Sequence, residues 1–211
     1  MTTLKISPSS LTFLLDECPR CWYMQIHGIH KRPYTPFPSI FNRIDKLMRG
    51  AYQGRSSLNI TGKAGMFDTK EHKLVSRLIP ISDNVNIQFS GKTDCLIKFD
   101  DRSIGILDFK TSEVKPDLVK LYAPQLYAYR ASIDADIEVS RMGLLCASPN
   151  GAELGDLLSM SFSQTWVEIP IDEAYWQGFT DKISKLLLTP FELVEGNPKC
   201  IHCEYQRKLS S

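Results

Sequence analysis

The sequence has no long hydrophobic run, no internal repeat and no flexible linker. None of its windows approaches the roughly 18 consecutive apolar residues of a transmembrane helix, and residues 1–5 lack the charged-then-apolar layout of a signal peptide. No stretch rich in Gly, Ser or Pro divides the chain. We therefore expect a soluble, cytoplasmic protein that forms a single domain over residues 1–211.

A large excess of charge of one sign is also missing, since 25 Lys and Arg oppose 24 Asp and Glu. The charges are nevertheless unevenly distributed. Residues 19–66 contain eight basic side chains and one acid, whereas residues 131–175 contain eight acids and one basic side chain. The basic N-terminal quarter can face a polyanion, but two ordinary solvated faces would give the same pattern.

The apolar content is sufficient for a full core, because 43% of the 211 residues are hydrophobic, and this excludes global disorder. Periodicity predicts an α/β protein with a central mixed β-sheet flanked by helices. The predicted helices are a short one from Ser7 that ends by Pro19, one from Pro38 to near Gly54, one around residues 122–129 and one capped by Asp172. Residues 19–38 are predicted to be irregular. Strands are predicted at 72–81, 85–90, 93–99, 104–110, 142–147 and 166–169.

Two strands of this predicted meander carry the first candidate site. If the turn at 100–102 is unpaired, Asp94 faces Asp108 across the hairpin, about 5 Å away, and the two carboxylates repel unless a cation lies between them. Oxygen ligands at this spacing suit Mg²⁺ or Mn²⁺. Lys110 shares a face with Asp108 and can orient or deprotonate a water and balance charge on a phosphate. A solvent-facing strand edge with unrelated charges is the alternative.

Gly91-x-x-Asp94, Asp108-Phe109-Lys110 and Gln125-x-x-x-Tyr129 resemble, in order and spacing, the core motifs of the PD-(D/E)XK nuclease superfamily in its RecB-like branch. The opening of the chain, from Ser7-Pro8-Ser9 to Cys18-Pro19-Arg20, is similar to the start of RecB-like domains. The resemblance implies a restriction-endonuclease-like core and metal-dependent hydrolysis of DNA phosphodiesters.

The resemblance also implies roles for individual residues. Asp94 and Asp108 become metal ligands, with the Phe109 carbonyl as a third. Lys110 becomes the catalytic lysine, and Gln125 and Tyr129 brace the site or the DNA. Many relatives carry a His or Glu ligand in an earlier helix, a place that Asp45 occupies here. An exposed Asp45 paired with Arg49 one helical turn later is the alternative.

Six cysteines in an intracellular chain indicate metal binding rather than disulfides. Cys18 and Cys21 form one CxxC pair and Cys200 and Cys203 another, and four thiolates can hold Zn²⁺ or a [4Fe–4S] cluster. The spacing alone slightly favours zinc, whereas some RecB-like nucleases, including the CRISPR-associated exonucleases, bind [4Fe–4S] through flanking cysteines. That resemblance tips the expectation toward the cluster, and either centre would join the ends of the chain. The remaining two, Cys95 and Cys146, are expected in the core.

The sequence thus predicts a nuclease that uses Mg²⁺ or Mn²⁺ on DNA, with the resemblance favouring an exonuclease that acts on single strands or DNA ends, in repair, recombination or CRISPR-type processing. Two alternatives stay open. One is a non-catalytic DNA-binding or assembly module with a vestigial nuclease site and a structural zinc centre. The other is a zinc-stapled interaction domain that binds no nucleic acid.

Overall fold

The computed structural model describes residues 1–33 and 38–209, with the side chains of all of these except Phe13, Arg207 and Leu209. Its helices are α1 (Phe13–Glu17), α2 (Pro19–Ile26), α3 (Ser39–Tyr52), α4 (Leu58–Thr61), α5 (Leu118–Arg130), α6 (Glu173–Leu188) and α7 (Ile201–Leu209), with 3₁₀ helices at Pro8–Leu11 and Phe191–Leu193. Its strands are β1 (Thr2–Ile6), β2 (Gly65–Asp68), β3 (His72–Val75), β4 (Ile79–Ser82), β5 (Val85–Thr93), β6 (Cys95–Phe99), β7 (Ile104–Lys110), β8 (Val139–Leu154) and β9 (Leu158–Glu168).

The predicted α/β class is confirmed, but the strands form two mixed sheets rather than one. In the smaller sheet β5 pairs parallel with β1 and antiparallel with β3 and β4. The larger sheet has the order β2-β6-β7-β8-β9, and only its β7–β8 pair is parallel. The chain passes from the smaller sheet to the larger at Asp94, the single residue between β5 and β6. Asp94 therefore lies where the two sheets meet.

Helices cover both faces of the larger sheet, and the alternation along β7 assigns its side chains to the two sides. Ile106 packs in the cluster beneath α5, whereas Leu107 and Phe109 pack in the cluster on the α3 side. The α5 cluster includes Leu96, Tyr122, Leu126, Met142 and Leu144, and the α3 cluster includes Phe67, Ile97 and Leu145 with Met48 and Tyr52 against them. Asp108 and Lys110, in step with Ile106, consequently point toward α5.

The smaller sheet packs against α6 and the N-terminal helices. This cluster contains Leu4, Ile6, Leu11, Trp22, Ile87, Phe89, Ile183 and Leu187. Asp172 begins α6 as predicted, because its Oδ1 accepts hydrogen bonds from the backbone N–H groups of Ala174 and Tyr175. Cys95 and Cys146 are buried in apolar clusters, also as predicted. None of the helices within 1–33 and 38–209 is long and apolar enough to cross a membrane.

The predicted irregular stretch after Pro19 is wrong over Pro19–Ile26, which forms α2. Proline is tolerated in the first turn of a helix, where its missing N–H would have no intrahelical partner, and Cys18 in an extended conformation caps this one. Pro19 therefore starts a helix as well as ending α1. Residues 34–37 of the same predicted stretch lie outside the described residues.

The long β8–β9 hairpin is predicted only in fragments. Its register shifts between Pro149 and Gly151, and both strands are exposed toward the turn. Leu158, Met160 and Phe162 alternate with serines in β9, a strand signal that the prediction did not use, whereas β8 beyond Pro149 has no such alternation. Strands β1 and β2 are not predicted, and the predicted strand at 72–81 is divided into β3 and β4.

Candidate functional site

The predicted hairpin register is confirmed. Cys95 pairs with Leu107 and Lys98 with Ile104, and the ladder closes on a backbone bond from Phe99 N–H to Ser103 O across the turn. Asp94 precedes the first pair by one residue, which brings it opposite Asp108. The sequence-predicted carboxylates thus lie side by side at the junction of the two sheets.

Asp108 is buried, with 3% of its surface exposed, and among the described residues its Oδ2 has an ion-pair partner but no hydrogen-bond donor. Oδ1 accepts a hydrogen bond from Gln125 Nε2 at 2.8 Å, and Oδ2 forms an ion pair with Lys110 Nζ. Lys110 Nζ also lies 4.3 Å from the centre of the Tyr122 ring. Lys110, two residues after Asp108 on β7, therefore lies between the Asp108 carboxylate and the Tyr122 ring of α5.

Asp94 is held by two donors from different elements. Its Oδ2 accepts the Phe109 backbone N–H at 3.1 Å, and its Oδ1 accepts Arg49 Nη2 at 2.5 Å. Burial and the neighbouring Asp108 charge raise the pKa of Asp94 from 3.8 to about 7, although Arg49 and Lys110 oppose this shift. The three carboxylates Asp45, Asp94 and Asp108 thus have two cations in contact with them, Arg49 and Lys110.

Burial would lower the pKa of Lys110, but the charges and hydrogen bond of its neighbours, chiefly Asp108, raise it above its usual range. Lys110 is therefore a cation that can donate a hydrogen bond. A protonated amine cannot accept a proton, so this geometry favours charge balance and orientation over deprotonation of water.

Asp45 lies on α3 at the rim of the same site. Its Oδ2 accepts Arg49 Nε at 2.8 Å, the one-turn pairing that was the alternative to a ligand role. The same guanidinium reaches Asp94, so Arg49 connects α3 to the sheet junction. Side-chain exposure is 35% for Asp45 and 19% for Asp94. Asp45 is therefore connected to Asp94 through the guanidinium of Arg49.

Gln125 and Tyr129 fix the site from α5. Thr12 Oγ1 donates to Gln125 Oε1 at 3.1 Å, which leaves the amide nitrogen of Gln125 to donate to Asp108. Tyr129 OH donates to the Lys92 carbonyl at 2.6 Å, two residues before Asp94. Both side chains are buried. Gln125 therefore orients the Asp108 carboxylate directly, and Tyr129 holds the backbone that precedes Asp94.

Sequence reasoning missed Thr12 altogether, and for Arg49 it gave the pairing with Asp45 but not the contact with Asp94. Thr12 had no comparable signal, since it is 113 positions away from Gln125 and belongs to a separate short element.

The second site joins the two ends of the described chain. Cys18 and Cys21, at the start of α2, meet Cys200 and Cys203, at the start of α7, and their four sulfurs all lie within 4.8 Å of one another. The Sγ–Sγ distances are 3.5 Å for Cys18–Cys203 and 3.6 Å for both Cys21–Cys200 and Cys21–Cys203. All four cysteines are buried as free thiols, so their chemistry fits a bound metal.

Polar groups surround these sulfurs. The Asn197 backbone N–H donates to Cys18 Sγ at 3.4 Å, and Arg32 Nη2 donates to Cys200 Sγ at 3.3 Å. Burial would raise the pKa of Cys200, but hydrogen bonds from the Cys203 backbone and from the neighbouring thiols lower it to about 7. The cluster is therefore arranged to hold at least one thiolate, the form that binds metal.

The basic N-terminal quarter does not form one free surface. Arg20 donates to the Val194 carbonyl at 2.7 Å, Arg32 pairs with Glu17, and Lys63 pairs with Asp101. Those three cations support the cysteine cluster and the turn after β6. Arg49 is the basic residue of this quarter that contacts the carboxylates, and Arg43 and Lys46 are exposed on the same helix, α3.

Comparisons with known proteins agree with this geometry. A family model described as the PD-(D/E)XK nuclease superfamily matches residues 52–207, a range that includes Asp94, Asp108 and Lys110. No curated protein matches the chain. Six chains of solved structures match it, among them the crystal structure of SSO0001, at 17% identity and a TM-score of 0.51. That match covers 89% of this chain and 78% of the other, and at such identity it shows a shared fold alone.

Proposed function

Since the chain belongs to the PD-(D/E)XK nuclease superfamily, we propose that it is a divalent-metal-dependent nuclease that hydrolyses DNA phosphodiesters, with its site at the junction of the two sheets. The observation that carries this proposal is the pair Asp94 and Asp108, two neighbouring carboxylates with Lys110 against one of them. Carboxylate oxygens are the ligands that Mg²⁺ and Mn²⁺ prefer.

In this proposal Asp45, Asp94 and Asp108 hold the metal, with the Phe109 carbonyl as a further oxygen. The bound ion supplies a polarised water and charge for the scissile phosphate. Lys110 donates a hydrogen bond toward the phosphate and balances the charge that develops there. Gln125 keeps Asp108 oriented, and Tyr129 holds the strand before Asp94.

We place the DNA along α3, on which Arg43 and Lys46 are exposed. Cations beside a phosphodiester site bind the backbone of either strand type without reading sequence. On the basis of the family resemblance, we further propose that the protein is an exonuclease and that it prefers single strands or DNA ends.

The substitution Lys110→Ala tests the proposal. Cleavage of end-labelled single- and double-stranded DNA in Mg²⁺ or Mn²⁺ should fall at least ~100-fold, because a charge that stabilises the transition state is removed. DNA binding at low salt should stay near wild type, since Lys110 supplies at most one of many phosphate contacts.

Lys120→Ala is the matched control, because Lys120 is an exposed lysine on α5. It should cleave within a few-fold of wild type. Turnover by the Lys110 variant within a few-fold of wild type would overturn the assignment of Lys110. Metal-independent DNA binding by a wild-type chain that never cleaves would favour a vestigial nuclease site.

We propose a single zinc ion for the cysteine centre. Four sulfurs around one Zn²⁺ at about 2.3 Å define a tetrahedron with edges of about 3.8 Å. Three of the six sulfur pairs here are 3.5 or 3.6 Å apart, and all six are within 4.8 Å. In a [4Fe–4S] cluster each thiolate binds a different iron, so the sulfurs stand farther apart. The spacing thus supports zinc against the cluster that the family resemblance favours.

A further inference from the structure

Arg49 occupies the space between two of the three carboxylates assigned to the metal. Its Nη2 donates to Asp94 Oδ1 at 2.5 Å and its Nε to Asp45 Oδ2 at 2.8 Å. The side chain is 21% exposed, so the guanidinium is largely withdrawn from water. One residue on α3 therefore bridges the rim of the site to the sheet junction.

The other oxygen of Asp94 accepts the Phe109 backbone N–H. A divalent ion bound to Oδ1 of Asp94 would lie beside the Arg49 guanidinium, which also holds Oδ2 of Asp45. The two cations would repel each other strongly, because the Coulomb energy rises steeply at short range and low dielectric.

We propose that Arg49 is a resident cation of the metal-free site, which pairs with Asp45 and Asp94 until a divalent metal displaces it. The inference rests on the proposed function, since it assumes that these carboxylates bind Mg²⁺ or Mn²⁺. Displacement costs the free energy of the two ion pairs, so Arg49 weakens metal binding and raises the metal concentration at which the site fills. In the metal-free protein, Arg49 reduces the repulsion between Asp45 and Asp94 and so stabilises the fold.

The test compares the 211-residue wild type with Arg49→Gln and with Arg55→Gln, which removes one exposed guanidinium just beyond the same helix. Mn²⁺ binding is followed by the loss of the free-ion electron paramagnetic resonance signal. We expect the Mn²⁺ Kd to fall at least tenfold in Arg49→Gln and less than threefold in Arg55→Gln. The metal-free melting temperature should drop in Arg49→Gln, and the rise in melting temperature on addition of Mn²⁺ should be larger than in wild type.

Each other outcome decides a different question. If wild type binds Mn²⁺ and Arg49→Gln binds it equally or more weakly, Arg49 is a structural residue or an aid to metal binding, and the inference is overturned while the proposed function stands. If the Mn²⁺ affinity rises equally in both variants, it depends only on the net charge of the protein, and the inference is again wrong. If wild type binds no Mn²⁺, the proposed function falls and takes the inference with it.

A measurement on wild type covers the case in which Arg49→Gln does not fold. The Arg49 Nε–H resonance, assigned with Arg49→Lys, should exchange slowly with solvent in the metal-free protein, because Nε donates to a carboxylate. Addition of Mg²⁺ should accelerate that exchange. An exchange rate unchanged at saturating Mg²⁺ would contradict displacement.

Discussion

The raised pKa of Asp94 determines how the stability of the metal-free protein changes with pH. Burial and the Asp108 charge raise the pKa of Asp94 to about 7 in the folded protein, against 3.8 when unperturbed. Between these values the folded protein binds more protons than the unfolded chain does. The free energy of unfolding therefore falls as pH rises through this window.

We expect the melting temperature of the wild type in EDTA to decrease from pH 4 to pH 7, and that of Asp94→Asn to decrease less. Asparagine carries no charge at either pH, so its variant lacks this contribution to the slope. Thermal melts in a series of buffers measure the difference between the two proteins, which cancels groups common to both. Parallel curves over this window would show that Asp94 is not the titrating group.

Single residues were predictable from the sequence where one pattern fixed their position. The period of two placed Asp108 and Lys110 on one face, and the length of the turn placed Asp94 opposite Asp108. The bridging role of Arg49 was not predictable, because helix spacing gives its partner Asp45 but not its contact with Asp94, 45 positions away. Such contacts depend on how elements pack.

Elements were predictable where their apolar residues repeat at the period of a helix or a strand. Helix α5 and the β6–β7 hairpin follow such patterns, whereas β8 beyond Pro149 does not. The division into two sheets had no sequence signal, because the strands on either side of Asp94 are nearly continuous in the chain.

Two glycines test which parts of these elements are tightly packed. A Cβ at Gly143 on β8 would lie 2.5 Å from Trp166 and 2.7 Å from the Val167 carbonyl, whereas one at Gly178 on α6 would meet nothing within 4 Å. Gly143→Ala should lower the free energy of unfolding by about 1–3 kcal/mol through overpacking. Gly178→Ala should raise it by about 0.5–1 kcal/mol, because alanine loses less backbone entropy in a helix. Urea titrations measure both, and a neutral Gly143→Ala would show that β9 is free to shift.

At the scale of the whole molecule, the cysteine centre ties α2 to α7. Replacing any of its four cysteines by serine should lower the metal content, the melting temperature and, indirectly, cleavage, since metal binding contributes to the free energy of folding. Cys95→Ala and Cys146→Ala should keep the metal and behave as small core changes.

Elemental analysis and a visible spectrum of anaerobically purified protein identify the metal. We expect one zinc per chain and no visible absorption. Iron with acid-labile sulfide would establish the cluster instead. A Cys200→Ser variant with full metal content and unchanged melting temperature would contradict a shared four-cysteine centre.

The distance along the chain between the two cysteine pairs has a consequence for synthesis. Cys21 and Cys200 are 179 positions apart, so a ribosome that adds about 5–20 residues per second delivers the second pair roughly 10 to 40 s after the first. If the four cysteines share one metal ion as proposed, Cys18 and Cys21 offer only half of its ligands during that interval. Metal binding by all four would then show that nearly the whole of this chain has been made, and a polypeptide released early would keep two uncoordinated thiols open to oxidation or to capture by quality control.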